Sequence, residues 1–454
     1  MSRHLHFMGA GGVGMCGLAE VLLSDGLRVS GCDLELTERT ARLVELGATM
    51  ARGHDPAHLG GVDALVVSAA VNPAHPEVAA ARAAGVPVVR RAELLGWLMR
   101  KARGVAVAGT HGKTTTTALA GHLLDAAGLA PTVVVGGNAR FMGAHGRRGT
   151  GELIVCEADE YDRSFLELDP EIAVITNVEA EHLDCYDGPD DLHAAFATFA
   201  NRVAPFGAVV LCGDDPGARS LAPRLRRRAL WYGIAPGLDL VATGIAADAG
   251  GSRFVVESAA GGRLGSVRLP LLGRHNVRNA LAALAVGLEL GVDFDRLAAA
   301  CESFAGVARR FQVLGERAGV TVVDDYAHHP TEISAVLAAA RQAMPGRRLV
   351  AVFQPHLFSR TRDFAGAFGE ALLAADVTIV LPIYPARETP IPGIDGSLVA
   401  DEARRRGHAA VETVDGMAGA LARLGRLLQP GDVLLTLGAG DVHRLAESWL
   451  GGGR

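Results

Sequence analysis

Lysine is almost absent from this chain. Of 44 lysines and arginines only Lys101 and Lys113 are lysine, and arginine serves everywhere else. Lys113 lies in Gly109-Thr110-His111-Gly112-Lys113-Thr114-Thr115, directly after the apolar run Gly104–Ala108 and ahead of the helical pattern TTTTALAGHLLDAAG. Strand, glycine loop and helix, with Lys-Thr opening the helix, form a phosphate-binding arrangement. Backbone N–H groups and the helix N-terminus face the anion, lysine adds a mobile point charge, and the threonine hydroxyl can sit on Mg²⁺. The loop is shorter than G-x-x-x-x-G-K-[ST], because Val107 stands where the first glycine would fall. A compact ammonium and a planar guanidinium are not equivalent beside a triphosphate, so a lysine kept here points to chemistry that requires it. Lys101 reads as a solvated charge on a linker.

Two further strands end in groups that could meet this loop. Glu157 follows LIVC, and Glu179, Glu181 and His182 follow AVITNV. Parallel sheets gather ligand sites at the carboxyl ends of their strands. Thr114, Glu157 and His182 are therefore candidate Mg²⁺ ligands, or orienters of Mg²⁺-bound water. Asp159, Glu160 and Asp162 read as a solvated acidic loop. Near the N-terminus, Gly9-Ala10-Gly11-Gly12-Val13-Gly14 satisfies G-x-G-x-x-G, with Asp33 at about the ribose-binding distance, and indicates a diphosphate-bearing nucleotide without specifying NAD. His275 and Asn276 sit just before a long Ala/Leu helix, as caps or as contacts to a base or ribose.

The elements that must position these groups alternate throughout. Short apolar runs and helical stretches give βα units over residues 1–101, again over 102–307 and again over 308–454. The fold class is α/β: three consecutive domains, the first Rossmann-like, the second P-loop ATPase-like with a mostly parallel sheet, the third Rossmann-like. Residues 101–103 bridge the first two, and the Gly- and Arg-rich region to about 268 reads as peripheral β structure. Pro330 opens a helix after VTVVDDYAHHP. A formal charge of −6 gives no case for nucleic-acid binding, and 49% hydrophobic with 21% charged residues indicates packed globular domains. No apolar run reaches membrane-spanning length, and MSRHLHFMGAGG meets glycine too early for a signal peptide. Six scattered cysteines without C-x-x-C read as free thiols in a reducing cytoplasm.

Together, GAGGVGM (9–15), AGTHGKTTTT (108–117), EADEYDRSFL (157–166), TNVEAEHLDCY (176–186), GRHNVRNA (273–280), ARRFQ (308–312), DDYAHHPTEI (324–333), FQPHLFSRT (353–361) and TLGAGD (436–441) resemble the Mur ligase family over nearly the whole length. The resemblance implies amide formation driven by Mg-ATP through an acyl phosphate. DDYAHHPTEI with FQPHLFSRT is similar to the alanine-adding branch, whose substrates are UDP-N-acetylmuramate, L-alanine and ATP. The rival is the family's tripeptide-recycling muramate ligase. By resemblance, Gly11, Gly12, Val13, Gly14, Asp33 and Ser68 hold UDP. Gly109 to Thr115, His275, Asn276, Arg310 and Asp325 serve ATP. Thr114, Glu157 and His182 serve two Mg²⁺ sites, where Mn²⁺ can substitute. Tyr326, His328 and Arg360 face the muramoyl carboxylate or the amino acid. Lys113, Glu157, His182, Arg310, His328 and Arg360 are the catalytic set. Ordered binding with closure of the third domain is implied, and a homodimer is compatible with it. Many relatives carry a carbamylated lysine after the metal-binding histidine; LHAAFATFAN (192–201) has none, as the alanine-adding branch generally has none.

Overall fold

The computed structural model describes residues 3–179, 185–248, 250–386 and 388–451. Among these the chain is α/β throughout and builds three sheets in series. The first contains β1 (His4–Met8), β2 (Arg28–Asp33), β3 (Thr49–Arg52), β4 (Ala64–Val67) and β5 (Val88–Arg90), in the order β3-β2-β1-β4-β5. All four of its pairings are parallel. The order reverses at β1, so the loop leaving β1 opens at the switch point, where such sheets bind ligands.

The second sheet contains β6 (Arg103–Ala108), β7 (Thr132–Ala139), β8 (Ala144–Arg147), β9 (Leu153–Glu157), β10 (Ile172–Ile175), β11 (Ala208–Cys212), β12 (Ala229–Gly233), β13 (Leu240–Asp248), β14 (Gly251–Ser258) and β15 (Gly262–Leu269). Its order is β15-β14-β13-β12-β11-β10-β6-β9-β7-β8. Strand β6 lies between β9 and β10, parallel to both. Being covered on both faces, these central strands are continuous apolar runs rather than alternating ones. Arg103, read from sequence as part of a linker, is already the first residue of β6.

The third sheet contains β16 (Gln312–Arg317), β17 (Val320–Asp325), β18 (Leu349–Phe353), β19 (Val377–Val380), β20 (Val411–Thr413) and β21 (Val433–Leu437), ordered β16-β17-β21-β18-β19-β20. Only the β16 edge pairs antiparallel.

The chain forms two compact units. The first comprises Met1–Ile245, Arg253–Pro270 and Asn276–Val307, and the second Ala246–Ser252, Leu271–His275 and Ala308–Arg454. In the first unit, the first two sheets share one core, from Phe7 and Leu18 through Leu95 to Cys156 and Phe196. Helix Val13–Ser24 packs on β7 and β8. Its buried Glu20 accepts hydrogen bonds from the His145 and Gly146 N–H groups at 3.1 and 2.6 Å. Burial holds the Glu20 carboxyl above the usual range despite those two bonds. In the second unit, one core under β17, β21 and β18 runs through Ile333, Leu337, Phe353 and Phe368.

Candidate active site

The phosphate loop is built by its neighbours. Strand β6 ends at Ala108, and helix Lys113–Ala126 starts five residues later. Its opening four threonines are β-branched and poor helix formers. All four are buried, so packing rather than propensity makes this turn helical. Gly112 caps it at φ 82°, a left-handed geometry suited to glycine, and a Cβ there would lie 2.6 Å from Asn279 Oδ1. Gly109 has φ 133°, and a Cβ there would lie 2.0 Å from Thr176 Oγ1. The residues after β10 then staple the loop. Asn177 Oδ1 accepts from His111 N at 2.8 Å, and Thr176 Oγ1 and Asn177 Nδ2 donate to His111 O at 2.6 and 3.0 Å. Thr110 Oγ1 accepts from Glu179 N at 2.9 Å, and His111 pairs with Glu179 at 3.4 Å.

On the other side of β6, strand β9 delivers Glu157, in register with Val107. Glu157 Oε2 accepts from Gly136 N at 2.8 Å, and its carboxylate is hydrogen-bonded by Thr114. Burial raises the Glu157 carboxyl above the usual range, against the pull of Lys113 and the Gly136 N–H. Thr114 and Glu157 are thus brought together, with Thr115 buried in the same helical turn. His182 and Glu181 lie outside the described residues.

Lys113 Nζ turns back into its own loop. It donates to Gly109 O at 2.6 Å, Thr110 O at 3.2 Å and Glu160 Oε1 at 2.8 Å. Burial alone would lower its pKa, but the Glu160, Asp159 and Glu157 carboxylates outweigh burial and hold it above the ordinary lysine value. Glu160 is therefore not part of a solvated acidic loop. It is 1% exposed and neutralises the loop lysine, while Tyr186 Oη donates to its backbone carbonyl at 2.6 Å. Asp159 and Asp162 are more open and pair with Arg91 and Arg90 at 3.3 and 3.6 Å. Lys101, read as solvated, lies 3.3 Å from the centre of the Trp97 ring, a cation–π contact.

The glycine loop after β1 is held differently. Gly12 caps helix Val13–Ser24 in extended conformation. Asp33, at the end of β2, accepts from Gly11 N at 2.8 Å, so one of its oxygens ties the loop itself. Arg39 Nε donates to Gly11 O at 2.5 Å, and Arg91 lies beside Gly14. Ser68 is half-buried just after β4. The sequence places His275 and Asn276 just before a helix. Helix Arg274–Glu289 contains both in its first turn. Asn276 is buried and accepts from Asn279 Nδ2 at 3.1 Å, and Asn279 is the side chain that abuts Gly112.

The second unit gathers its own set. Asp325, buried at the end of β17, accepts from Phe311 N and Ala327 N at 2.6 and 2.7 Å. Burial nevertheless pushes it up to about 6, against the lowering by the Arg310 guanidinium and those N–H groups. Arg310 lies between Arg309 (φ 60°) and Phe311 (φ 44°), two strained positions of the kind that cluster at functional sites. Arg310 reaches Glu332 at 3.8 Å and lies over the Tyr326 ring. The His328 ring meets Tyr326 and His356 edge-on, His356 stacks on Tyr384, and the buried Arg360 contacts His356 Nδ1 at 3.2 Å. His356 thus links the Tyr326–His328 pair to Arg360. The sequence does not single out His356, Tyr384, Glu332, Thr176 or Asn177, and it reads Glu160 as solvated where the structure buries it on Lys113. All but Tyr384 lie inside segments that carried the resemblance.

A nucleotide-phosphate loop in a three-sheet α/β chain defines the class, and comparison with known proteins gives the family. Family models match residues 4–103 (Mur ligase family, catalytic domain), 107–287 (Mur ligase middle domain) and 309–440 (Mur ligase, glutamate ligase domain). The chain is 46% identical over 98% of both lengths to a UDP-N-acetylmuramate–L-alanine ligase of Desulfatibacillum aliphaticivorans. It is 47% identical to one of Desulfosudis oleivorans, over 99% of this chain and 98% of the relative. Among solved structures, the UDP-N-acetylmuramate–alanine ligase of Thermotoga maritima superposes with a TM-score of 0.84 at 29% identity, over 99% and 98% of the two chains. A murein peptide ligase of Psychrobacter arcticus shares the fold, with a TM-score of 0.75 at 23% identity over 99% and 98%. The chain belongs to the Mur ligase family and is an ATP-dependent, amide-forming ligase.

Proposed function

We propose that this chain joins L-alanine to the carboxylate of UDP-N-acetylmuramate, converting ATP to ADP and phosphate and yielding UDP-N-acetylmuramoyl-L-alanine. The observation that carries the reading is 46–47% identity, over essentially the full length, to relatives of that name. A carboxylate is a poor acyl donor at neutral pH. Its oxygen attacks the γ-phosphorus, ADP departs, and the resulting acyl phosphate has a good leaving group. The alanine amine adds to the acyl carbon, and the tetrahedral intermediate expels phosphate as the amine loses its proton. Catalysis is then chiefly positioning and neutralisation of phosphoryl charge.

In this reading residues 1–101 hold the UDP substrate, 102–307 hold ATP and 308–454 serve the amino acid. Lys113 leaves Glu160 to meet the β- and γ-phosphates, while Gly109 to Thr115 surround them at the helix N-terminus, with the Thr110 and His111 N–H groups held by Asn177. Gly11 to Gly14, Asp33 and Ser68 serve UDP. His275 and Asn276 serve the adenosine, with Arg310 and Asp325 assisting. Tyr326, His328 and Arg360 serve the muramoyl carboxylate and the alanine. A half-buried carboxylate beside a hydroxyl at a helix N-terminus suits a hard divalent cation. Thr114 and Glu157 would hold one Mg²⁺, and Glu157 with His182 a second, Mn²⁺ substituting. When bound, the ions neutralise phosphoryl charge. Among the described residues no helix is long and apolar enough to cross a membrane, and a cytoplasmic location is part of the proposal.

The test supplies purified protein with UDP-N-acetylmuramate, Mg-ATP and either L-alanine or the tripeptide, reading phosphate release and product mass. Phosphate release requiring alanine, with a product heavier by one alanyl residue, is expected. Product with tripeptide alone would reassign the chain to the recycling branch. Absence of substrate-dependent phosphate release would refute ligation.

A further inference from the structure

The first domain carries a cluster to which the proposed ligation assigns no role. His6 on β1, Cys32 on β2, His58 in the short turn Pro56–Leu59 and Glu77 in the first turn of helix Pro76–Ala83 point at one another. One donor atom from each lies within 4.8 Å of all the others. His6, Cys32 and Glu77 are buried, Glu77 completely, while the His58 side chain is 22% exposed and forms the rim.

With His4 neutral, hydrogen-bond polarity sets the tautomer of the innermost ring. Gly61 O can only accept, so the His4 Nδ1 that meets it at 3.0 Å carries the proton. His4 Nε2 then accepts from Ser30 Oγ at 2.8 Å, and Ser30 Oγ in turn accepts from His6 Nδ1–H at 2.8 Å. A neutral His6 therefore presents a bare Nε2 lone pair. That atom is buried without a hydrogen-bond partner and faces the Glu77 carboxylate at 3.2 Å. Two acceptors would then face each other in a dry interior, and either a second proton on His6 or a metal ion resolves the contact; the convergence of Cys32 and His58 on the same carboxylate favours the metal. An imidazole oriented through its other nitrogen is also how metal-binding histidines are held.

The spacing fits a small tetrahedral ion. Zinc–nitrogen, zinc–oxygen and zinc–sulfur bonds of roughly 2.0–2.3 Å place neighbouring ligand atoms roughly 3.3–3.8 Å apart. From Glu77 Oε1 the distances are 3.2 Å to His6 Nε2, 3.3 Å to His58 Nδ1 and 3.7 Å to Cys32 Sγ. Good charge-assisted hydrogen bonds would be roughly 2.7–2.9 Å. His54 Nδ1, 3.1 Å from Cys32 Sγ and 3.7 Å from Glu77, stands behind as a further donor. A thiolate and two imidazoles favour zinc over magnesium or calcium.

We propose that His6, Cys32, His58 and Glu77 form a structural zinc site in the first domain, oriented by Ser30 and His4 and separate from the phosphate loop.

The full-length chain, freed of metal by chelation, would be titrated with Zn²⁺ alone against a chromophoric chelator and, separately, with Co²⁺. One tight equivalent is expected, and the cobalt form should show a thiolate-to-metal charge-transfer band with the intense visible bands of tetrahedral cobalt. Cys32→Ser should abolish the charge-transfer band. His58→Ala, at the exposed rim where folding is least disturbed, should weaken Zn²⁺ binding at least about tenfold, and Ser30→Ala by about 10- to 100-fold. Cys185→Ser, the control, should retain both band and stoichiometry. No tight equivalent in the wild-type chain, or a Zn²⁺ affinity unchanged in His58→Ala, overturns the proposal. If Cys32→Ser misfolds, the His58→Ala titration still decides.

Discussion

The loops after β1 and β6 share a plan: parallel strand, glycines, helix N-terminus. They differ in what sits inside. The first carries no lysine, its helix is capped by Gly12 in extended conformation, and its backbone is tied from outside by Asp33 and Arg39. The second is capped by a left-handed Gly112, clamped from β10 by Thr176 and Asn177, and filled by a lysine neutralised on Glu160. The first is a loop whose backbone is already held, its Gly9 to Gly12 N–H groups donating to Cys32 O, Asp33 and Gly9 O, ahead of the helix N-terminus at Val13. The second holds a lysine charge together with the buried carboxylate that neutralises it. A group that is only bound needs the former, whereas a group that is transferred needs charge delivered where it develops.

That contrast can be broken most severely at Lys113. Lys113→Arg should fold normally yet lose ATP-dependent turnover by about a thousandfold, because a planar guanidinium cannot occupy the pocket between Gly109 O, Thr110 O and Glu160. Phosphate release under saturating substrates measures it, and near-normal turnover would defeat the assignment. Glu160→Gln tests the neutralised charge. Removing one partner of a buried pair should destabilise the first unit by about 3 kcal/mol in a denaturant titration, the low end of the range because Lys113 keeps two carbonyl partners. A neutral effect would mean the pair is incidental.

Gly136→Ala sharpens the comparison without touching the lysine. A Cβ there would lie 2.6 Å from Glu157 Oε2, so the carboxylate must move. The Mg²⁺ concentration giving half-maximal turnover should rise about tenfold, with the UDP-substrate KM unchanged. In the second unit, Asp325 likewise ties backbone N–H groups, but with a pKa pushed up to about 6. A raised carboxyl binds its proton more tightly folded than unfolded. Its stabilising contribution is therefore complete at low pH and lost as pH rises through about 6. From about pH 5 to about pH 7 the second unit should lose about 1 kcal/mol by hydrogen exchange of β17 amides, and Asp325→Asn should flatten that slope. The smallest effect is expected at Asp33. Asp33→Ala should raise the KM for the UDP substrate about threefold and leave the KM for ATP alone, since one hydrogen bond to the loop is lost. A change in both would show that the two loops are not independent.

Much of this was legible in the residue string. Glycine spacing, apolar runs and the solitary loop lysine specify three α/β layers and a phosphate loop, because strand and helix periods and the φ > 0 demand of Gly112 are local properties. Glu157 was legible as the polar end of an apolar strand. Glu160 was not, since an acidic run after a strand looks solvated until the fold brings Lys113 and Tyr186 onto it. Nor was the role of Thr176 and Asn177, which depends on β10 being the neighbour of β6. His356 emerged as the link between His328 and Arg360 only once the ends of β17 and β18 were brought close. Residue types and spacing thus determined which chemistry the chain could attempt. Which carboxylate is dry, which is paired and which histidine presents a bare nitrogen were decided by tertiary structure alone, because burial and hydrogen-bond polarity arise from contacts between residues far apart in the chain.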